Sequence, residues 1–443
     1  MTPEQITALG PALTEFLRSF HRCFGECRLL DHFREYCRGL LSDLPRKSVE
    51  PMALAAGSTV RAMQLFLTHR VWDDRRVRQL LQQRIMAHHA APPGAARAEG
   101  DVGAVGVIDE TSTVKKGDKT PGVQRQYLGT VGKIDNGIVT VHLSYEYEGF
   151  KALLDSNLYL PEKWANDRER CRAASVPDDL PFRTKPAIAL EQVKRAIAQG
   201  VRFDWLTFDE GYGRDLPFLR GLDGEGQHYV AEIPTNFRCW PRLPQYRSLR
   251  REFSTKQVRN VTRWSPAFIH QQWRPVTIRR DTVEPAVWDV KAAQVYLRNS
   301  KGRPTDRTYW LIVAWNRATD EYKYFLSNAP PTTDLTLLLR VAFRRAVVEH
   351  LFRIAKSEVG LSHFEGRSYV GLMRHMTLCQ LMLLFLAEQT DRLRGEKPTG
   401  HDGAGGPGAE PPLSPLAGQS TCPQAPPPPG TAAVAHCDVP SAA

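Results

Sequence analysis

The chain has 443 residues, 42% of them hydrophobic and 24% charged, enough for about three domains or for one large catalytic domain with appendages. No apolar run reaches the ~18 residues of a membrane span. The first twenty residues carry Glu4, Glu15 and Arg18 and lack the apolar stretch of a secretory signal, so membrane, collagen and coiled-coil readings are excluded. The net charge of +11 favours a polyanionic partner without naming one.

Residues 1–90 read as helical, with Leu13, Leu17 and Phe20 on one face and Leu80, Leu81 and Ile85 repeating the pattern. Residues 91–101, rich in Ala, Pro and Gly, form a linker by composition. Val102 to Ile108, Ile138 to Tyr147, Val201 to Phe208 and Tyr229 to Ile233 are short β-like runs, and Ala187 to Gly200 is a helix by periodicity. Strands alternating with helices indicate a mixed α/β domain whose first part spans 102–236. From residue 237 the texture becomes basic and Trp-rich: positions 238–308 hold sixteen Lys/Arg against five Asp/Glu, with Trp240, Trp264, Trp273 and Trp288. Trp310 to Trp315 and Glu321 to Leu326 then predict a hairpin closing this β-rich segment at about 330. Asp334 to Val359, with Asp334 as N-cap, and Leu372 to Asp391 predict two helices within 331–393. Residues 394–443 lack Phe, Trp and Tyr, cannot bury a core, and read as a disordered tail.

The eight cysteines (Cys23, Cys27, Cys37, Cys171, Cys239, Cys379, Cys422 and Cys437) are sparse and irregular, which points to a reducing compartment rather than a disulfide framework. Cys23 and Cys27 near His21 and His32 fit helix packing better than a zinc site, because no C-x-x-C pair occurs. The segments GLDGEG (221–226) and GDKT (117–120) lack the P-loop spacing, and neither G-x-S-x-G nor H-E-x-x-H is found. His363 and His375 suit surface or phosphate contacts rather than a nucleophile.

Three acids carry chemistry. Asp109 and Asp209 each end an apolar strand-like run, and Glu349 stands among Val347, Val348, Leu351 and Phe352. Carboxylates in apolar surroundings need a compensating partner. Two strand-end aspartates and a helical glutamate can hold divalent cations through oxygen. Arg345, Glu349, Phe352 and Lys356 recur at i, i+4, i+7 and i+11, a helical stripe whose cations can clamp phosphates. Plainer readings stand beside these. Strand-end aspartates cap turns and helices, and the stripe equally describes a solvated face with one ion pair. Glu110 and Glu210 leave the choice of acid open, because neighbouring side chains on a strand point to opposite faces.

Three blocks carry a family resemblance: VIDETSTVKKGDKTPGVQRQYLGTVGKIDN (107–136), LYLPEKWANDRERCRAASVPDDLPFRTKP (158–186) running on to TFDEGYG (207–213), and RRAVVEHLFRIAKSEVGLSHFEGRSYVG (344–371). The chain resembles bacterial insertion-sequence transposases of the DDE superfamily, in the IS-four-like branch with a Y-R-E-K signature, over roughly residues 20–390. The resemblance implies that Asp109, Asp209 and Glu349 are the catalytic, metal-holding triad, with Glu110 and Glu210 as supporting neighbours. It matches Arg345, Glu349 and Lys356 to R, E and K. The family tyrosine falls on Ala342, and the tryptophan usual after the arginine on Ala346.

The implied fold is a ribonuclease H-like catalytic domain interrupted by a β-rich insertion, here 237–330, and preceded by a helical region that binds element-end DNA. The implied cofactor is Mg²⁺, as two ions that Mn²⁺ can replace. The implied partner is double-stranded DNA, both element inverted repeats and target, bound as a homodimer in a bacterial cytoplasm. Arg345 and Lys356 are the expected phosphate contacts; Lys115, Lys116 and Arg125 read equally as a DNA-contacting or a solvated loop; and Trp264 and Trp273 are the expected base-stacking residues, with sheet packing as their alternative. A non-catalytic DNA-binding descendant of such an enzyme is the second functional reading.

Overall fold

The computed structural model describes residues 3–89, 101–244, 254–280 and 283–395. Of the expected linker (91–101) all but residue 101, and of the expected tail (394–443) all but Arg394 and Gly395 at the end of the last helix, lie outside the described residues.

Five helices open the chain: α1 (Pro3–Arg18), α2 (Cys27–Leu41), α3 (Val49–Ala55), α4 (Val60–Thr68) and α5 (Asp74–His88). On α2, Phe33, Tyr36, Cys37 and Leu40 recur at helical spacing and are all buried. The side chains of Thr59 and Asp73 cap α4 and α5 by accepting from the amides of Ala62 and Arg76. Residues 56–59 join α3 to α4, with Gly57 at φ +68°, a left-handed conformation that glycine adopts without strain. This tight helix-turn-helix is not visible in the hydrophobic pattern.

Next come β1 (Val105–Val114), β2 (Gln124–Leu128), β3 (Lys133–Tyr147), β4 (Phe150–Leu158), the short helices α6 (Glu162–Ala165) and α7 (Arg168–Ala173), and α8 (Lys185–Ala198). They are followed by β5 (Trp205–Phe208), α9 (Glu210–Gly213), α10 (Leu216–Gly224) and β6 (Tyr229–Glu232). The strand order β4–β3–β1–β5–β6 has β1, β3 and β4 antiparallel and β1, β5 and β6 parallel. This is the ribonuclease H-like arrangement.

The basic segment holds β7 (Arg238–Cys239), β8 (Lys256–Gln257), α11 (Val258–Trp264), α12 (Pro266–Ile269), β9 (Arg274–Arg280), β10 (Val283–Val295), β11 (Tyr309–Asn316) and β12 (Glu321–Ser327). Strands β9 to β12 form an antiparallel run that joins the main sheet where β12 pairs with β6. The hairpin read from the sequence is β11–β12, and it is continuous with the strands of the α/β core.

Three helices complete the described chain: α13 (Leu335–Arg344), α14 (Val347–Ser357) and α15 (Tyr369–Gly395). The single helix expected over Asp334 to Val359 is therefore two. The helical ladder is interrupted at Arg345 and Ala346, whose backbones stay right-handed while the amide of Val348 bonds to the carbonyl of Arg345 three residues back. Side chains at this joint turn to the sheet, Arg344 to Glu146 on β3 and Arg345 to Asp109 on β1. By length and hydropathy α15 would suffice to cross a membrane, but most of it is buried inside the fold.

Helices cover both faces. On one, Gln192 of α8 donates to the carbonyl of Val141 and to Asn157. On the other, Phe352 of α14 packs edge-on against His142, and Gln380 of α15 donates to Ser156. The N-terminal helices are docked by polar contacts as well as apolar ones. Gln82 of α5 donates to the carbonyl of Leu154 on β4. Arg374 of α15 gives its guanidinium to the carbonyls of Phe66, Leu67, Arg70 and Trp72, supplying donors to the C-terminal end of α4. His375, expected at a surface, is instead fully buried and bonded to Tyr36. Cys23 is buried and Cys27 exposed, without a metal-binding cluster among the described residues.

The most buried charge is Asp155 on β4, 1% exposed, held by Arg78 of α5 at 3.2 Å and Arg195 of α8 at 2.9 Å. Removing one partner of a buried ion network leaves the others uncompensated. Asp155→Ala is expected to cost about 3–5 kcal/mol, measured by urea denaturation, whereas Asp135→Ala on the exposed β2–β3 hairpin should change stability little.

Candidate active site

Register brings the first two acids together. Strands β1 and β5 are parallel, pairing Val105 with Trp205 through Ile108 with Phe208. The next residue on each chain is the aspartate. Strand β5 ends there, but β1 runs on to Val114, so Asp109 lies in mid-strand, at the point where its parallel neighbour stops. Asp209 is the N-cap of α9 and accepts from the amides of Gly211 at 2.9 Å and Tyr212 at 3.4 Å. The capping reading and the site reading of Asp209 are thus compatible.

Asp109 is 14% exposed and accepts from the amide of Glu110 at 2.7 Å. Burial, then the adjacent charge of Asp209, push its pKa up to about 7, against the pull of Arg345. Alternation along β1 turns the two neighbouring acids to different partners. Asp109 pairs across β3 with His142, on the α14 face, whereas Glu110 turns to α8 and α9, where Lys185 and the hydroxyl of Tyr212 reach it. Glu210 forms an exposed pair with Arg214.

Glu349 is exposed on α14. With Asp109, Tyr127, Thr130, Arg353 and Lys356 it lines a cleft of about 350 Å³. Lys356 donates to Thr130 at 3.1 Å, and burial lowers its pKa. Among the described residues no three acidic, histidine or cysteine side chains converge tightly enough to hold a metal in this conformation. The electrostatically coupled pair is Asp109 with Asp209, and Glu349 lines the same cleft as Asp109. These hard carboxylate oxygens, one of them buried beside a like charge, suit a divalent oxygen-loving cation.

The helical stripe is divided by the joint. Arg345, just before α14, lies 3.3 Å from Asp109 and 3.8 Å from Glu232, the last residue of β6. Glu232 was missed in the sequence, although YVAE ends a β-like run much as WLTFD does. Tyr127, 64% exposed on β2, was missed because its strand is short and polar.

The remaining expected residues are dispersed. Lys115 donates to the carbonyls of Ser362 and Phe364, and burial brings its pKa down to about 8. Lys116 and Arg125 are exposed. Trp264, 67% exposed, carries the guanidinium of Arg263 over its ring at 4.9 Å. Trp273 is half-buried, beside Trp315 at 5.7 Å and beneath the ammonium of Lys291 at 4.8 Å. Neither tryptophan lines the cleft that holds Asp109 and Glu349.

A carboxyl whose folded pKa lies above its unfolded value contributes a penalty that grows as pH rises between the two. Asp209→Asn keeps the cap and removes the neighbouring charge. The variant is expected to be more stable than the parent at pH 8, on the order of 1 kcal/mol. That advantage should shrink towards pH 4, as read by urea denaturation across pH.

Comparison with known proteins places this geometry in context. A family model described as DDE superfamily endonuclease matches residues 19–285, which include Asp109, Asp209 and Glu232 and end before Glu349. The chain is 31% identical over 224 residues to the probable transposase for insertion sequence element IS701 of Microchaete diplosiphon, an alignment covering 50% of this chain and 53% of that protein. The match thus spans about half the length of this relative.

Proposed function

The chain belongs to the DDE superfamily of endonucleases, and on that premise we propose that it is the transposase of a bacterial insertion sequence. It binds the element's terminal inverted repeats, as a homodimer assembled on DNA, cleaves a phosphodiester at each end, and joins the freed ends to target DNA. Asp109, Asp209 and Glu349 are its catalytic acids. The observation that carries this reading is the parallel register that sets Asp109 and Asp209 side by side, with Asp109 and Glu349 lining one cleft.

The acids would hold Mg²⁺ or Mn²⁺. When bound, such ions supply charge that stabilises the attacking and leaving oxygens of an in-line displacement. In the first step water attacks phosphorus and the bond to the 3′-oxygen breaks, leaving a 3′-hydroxyl. In the second, that hydroxyl attacks a target phosphate and displaces another 3′-oxygen. Glu349, exposed on α14, lines the same cleft as Asp109 and is the third acid of the set. Lys356 and Arg345 hold phosphates beside the cleft. Lys116 and Arg125 extend the basic track, whereas Lys115 already spends its donors on carbonyls. Trp264 and Trp273, each paired with a cation, are the candidates for stacking on an unpaired base.

The helical N-terminus supplies end recognition. Its α3–α4 pair has the short glycine-containing turn of DNA-reading helices, and α4 exposes Arg61 and Gln64 one turn apart.

The test uses the DNA flanking the gene as substrate, with Mg²⁺ and a Glu349→Ala control. Cleavage mapped to the inverted-repeat boundaries and lost in the control is the expected result. Specific binding without cleavage would instead favour a non-catalytic DNA-binding protein. Arg61→Ala is expected to weaken end binding about tenfold or more, in line with loss of one specific base contact, while leaving the folded state unchanged by circular dichroism.

A further inference from the structure

All three parallel strands of the core lead to an acid at the same sheet edge: Asp109 on β1, Asp209 after β5 and Glu232 on β6. Arg345 spans them. Its Nη1 lies 3.3 Å from Asp109 Oδ2, and its Nε lies 3.8 Å from Glu232 Oε2, across the intervening β5. Glu232 is itself fixed, because Lys323 on the neighbouring strand β12 donates to its other oxygen at 2.8 Å. The guanidinium enters from the joint between α13 and α14 and is three-quarters buried. A guanidinium is a planar donor fork with no acceptor, suited to bridging two carboxylates.

We propose that Arg345 is the resident counter-cation of the Asp109–Asp209 pair, that Glu232 is the positioning residue holding it there, and that a divalent cation enters by displacing the guanidinium from Asp109. The proposal rests on the reading of Asp109 and Asp209 as the metal-binding pair. A positive charge against one ligand opposes a second cation, and more strongly in a partly buried site than in water. Once Nη1 leaves Asp109, the side chain stays tethered through Nε to Glu232, with free donors at the rim where a DNA phosphate would lie. Metal loading and phosphate capture are then two ends of one side-chain movement.

The experiment measures Mn²⁺ binding to the full chain without DNA, by the electron paramagnetic resonance of free Mn²⁺, with circular dichroism as a folding control. The variants are Asp109→Asn, Arg345→Ala, Glu232→Gln and the Arg345→Ala/Glu232→Gln double. Asp109→Asn should abolish binding at this site. Arg345→Ala should tighten it, by about tenfold. Glu232→Gln should alter affinity in the parent and have no effect in the Arg345→Ala background, because it acts through the arginine. If Arg345→Ala does not fold, Arg345→Gln replaces it with the same expected direction. Unchanged or weaker binding on removing the charge, with Asp109→Asn still abolishing it, overturns the counter-cation role and leaves the acid pair standing. An equal Glu232→Gln effect in both backgrounds overturns the positioning role. Binding indifferent to Asp109→Asn, or no binding to parent or Arg345→Ala, overturns the metal-binding pair and this proposal together.

Discussion

The structure depends on a like-charge contact forced by strand register. Parallel pairing of β1 with β5 sets Asp109 and Asp209 beside each other, and apolar packing beneath them removes the water that would screen their repulsion. A sheet that stores such a contact must supply compensation from elsewhere in the chain. Here it comes as backbone amides to both carboxylates and as a guanidinium 236 residues from Asp109 in sequence. The helices on the α14 face bring that guanidinium home.

The same principle recurs at larger scale. Asp155 is clamped between helices of the N-terminal and central regions, and Arg374 supplies donors to the end of α4. Each contact joins segments that a purely apolar interface would leave free to slide, because dispersion forces carry little directional preference. The α3–α4 pair is therefore fixed in orientation to the sheet through α15 and α5.

Much of this was legible in the sequence. Strands β1, β3, β5, β6, β11 and β12 are apolar or alternating runs between turn signals, and α8 carries its own periodicity. Strand β4 was not legible: FKALLDSNL has helix-forming residues at its start and buried Asp155, Ser156 and Asn157 at its end, and partners distant in sequence decide its conformation. The division of α13 from α14 was equally hidden, since neither proline nor glycine marks it and the pull on Arg344 and Arg345 comes from the sheet. Asp109 and Asp209 could be read because they interrupt apolar runs. Glu232 does so too, but a single acid at a strand end is ordinary until the neighbouring strands are known. The basic segment stands out by composition, whereas its continuity with the core sheet depends on backbone pairing that composition does not encode.

That continuity bears on how the chain measures distance. Strand β12 runs antiparallel to β6 and so returns to the opposite edge of the sheet from the acids, and α13 then climbs back over ten residues, about 15 Å, to deliver Arg345. The long basic segment can lengthen or shorten between β6 and β12 without moving that delivery point. Helix α13 has no such freedom. It acts as a ruler with a fixed zero at Asp334: one added residue would advance its end by about 1.5 Å and turn it by about 100°, aiming the guanidinium away from both acids. Within one gap in the sequence, a span that tolerates drift thus abuts a span gauged to the residue.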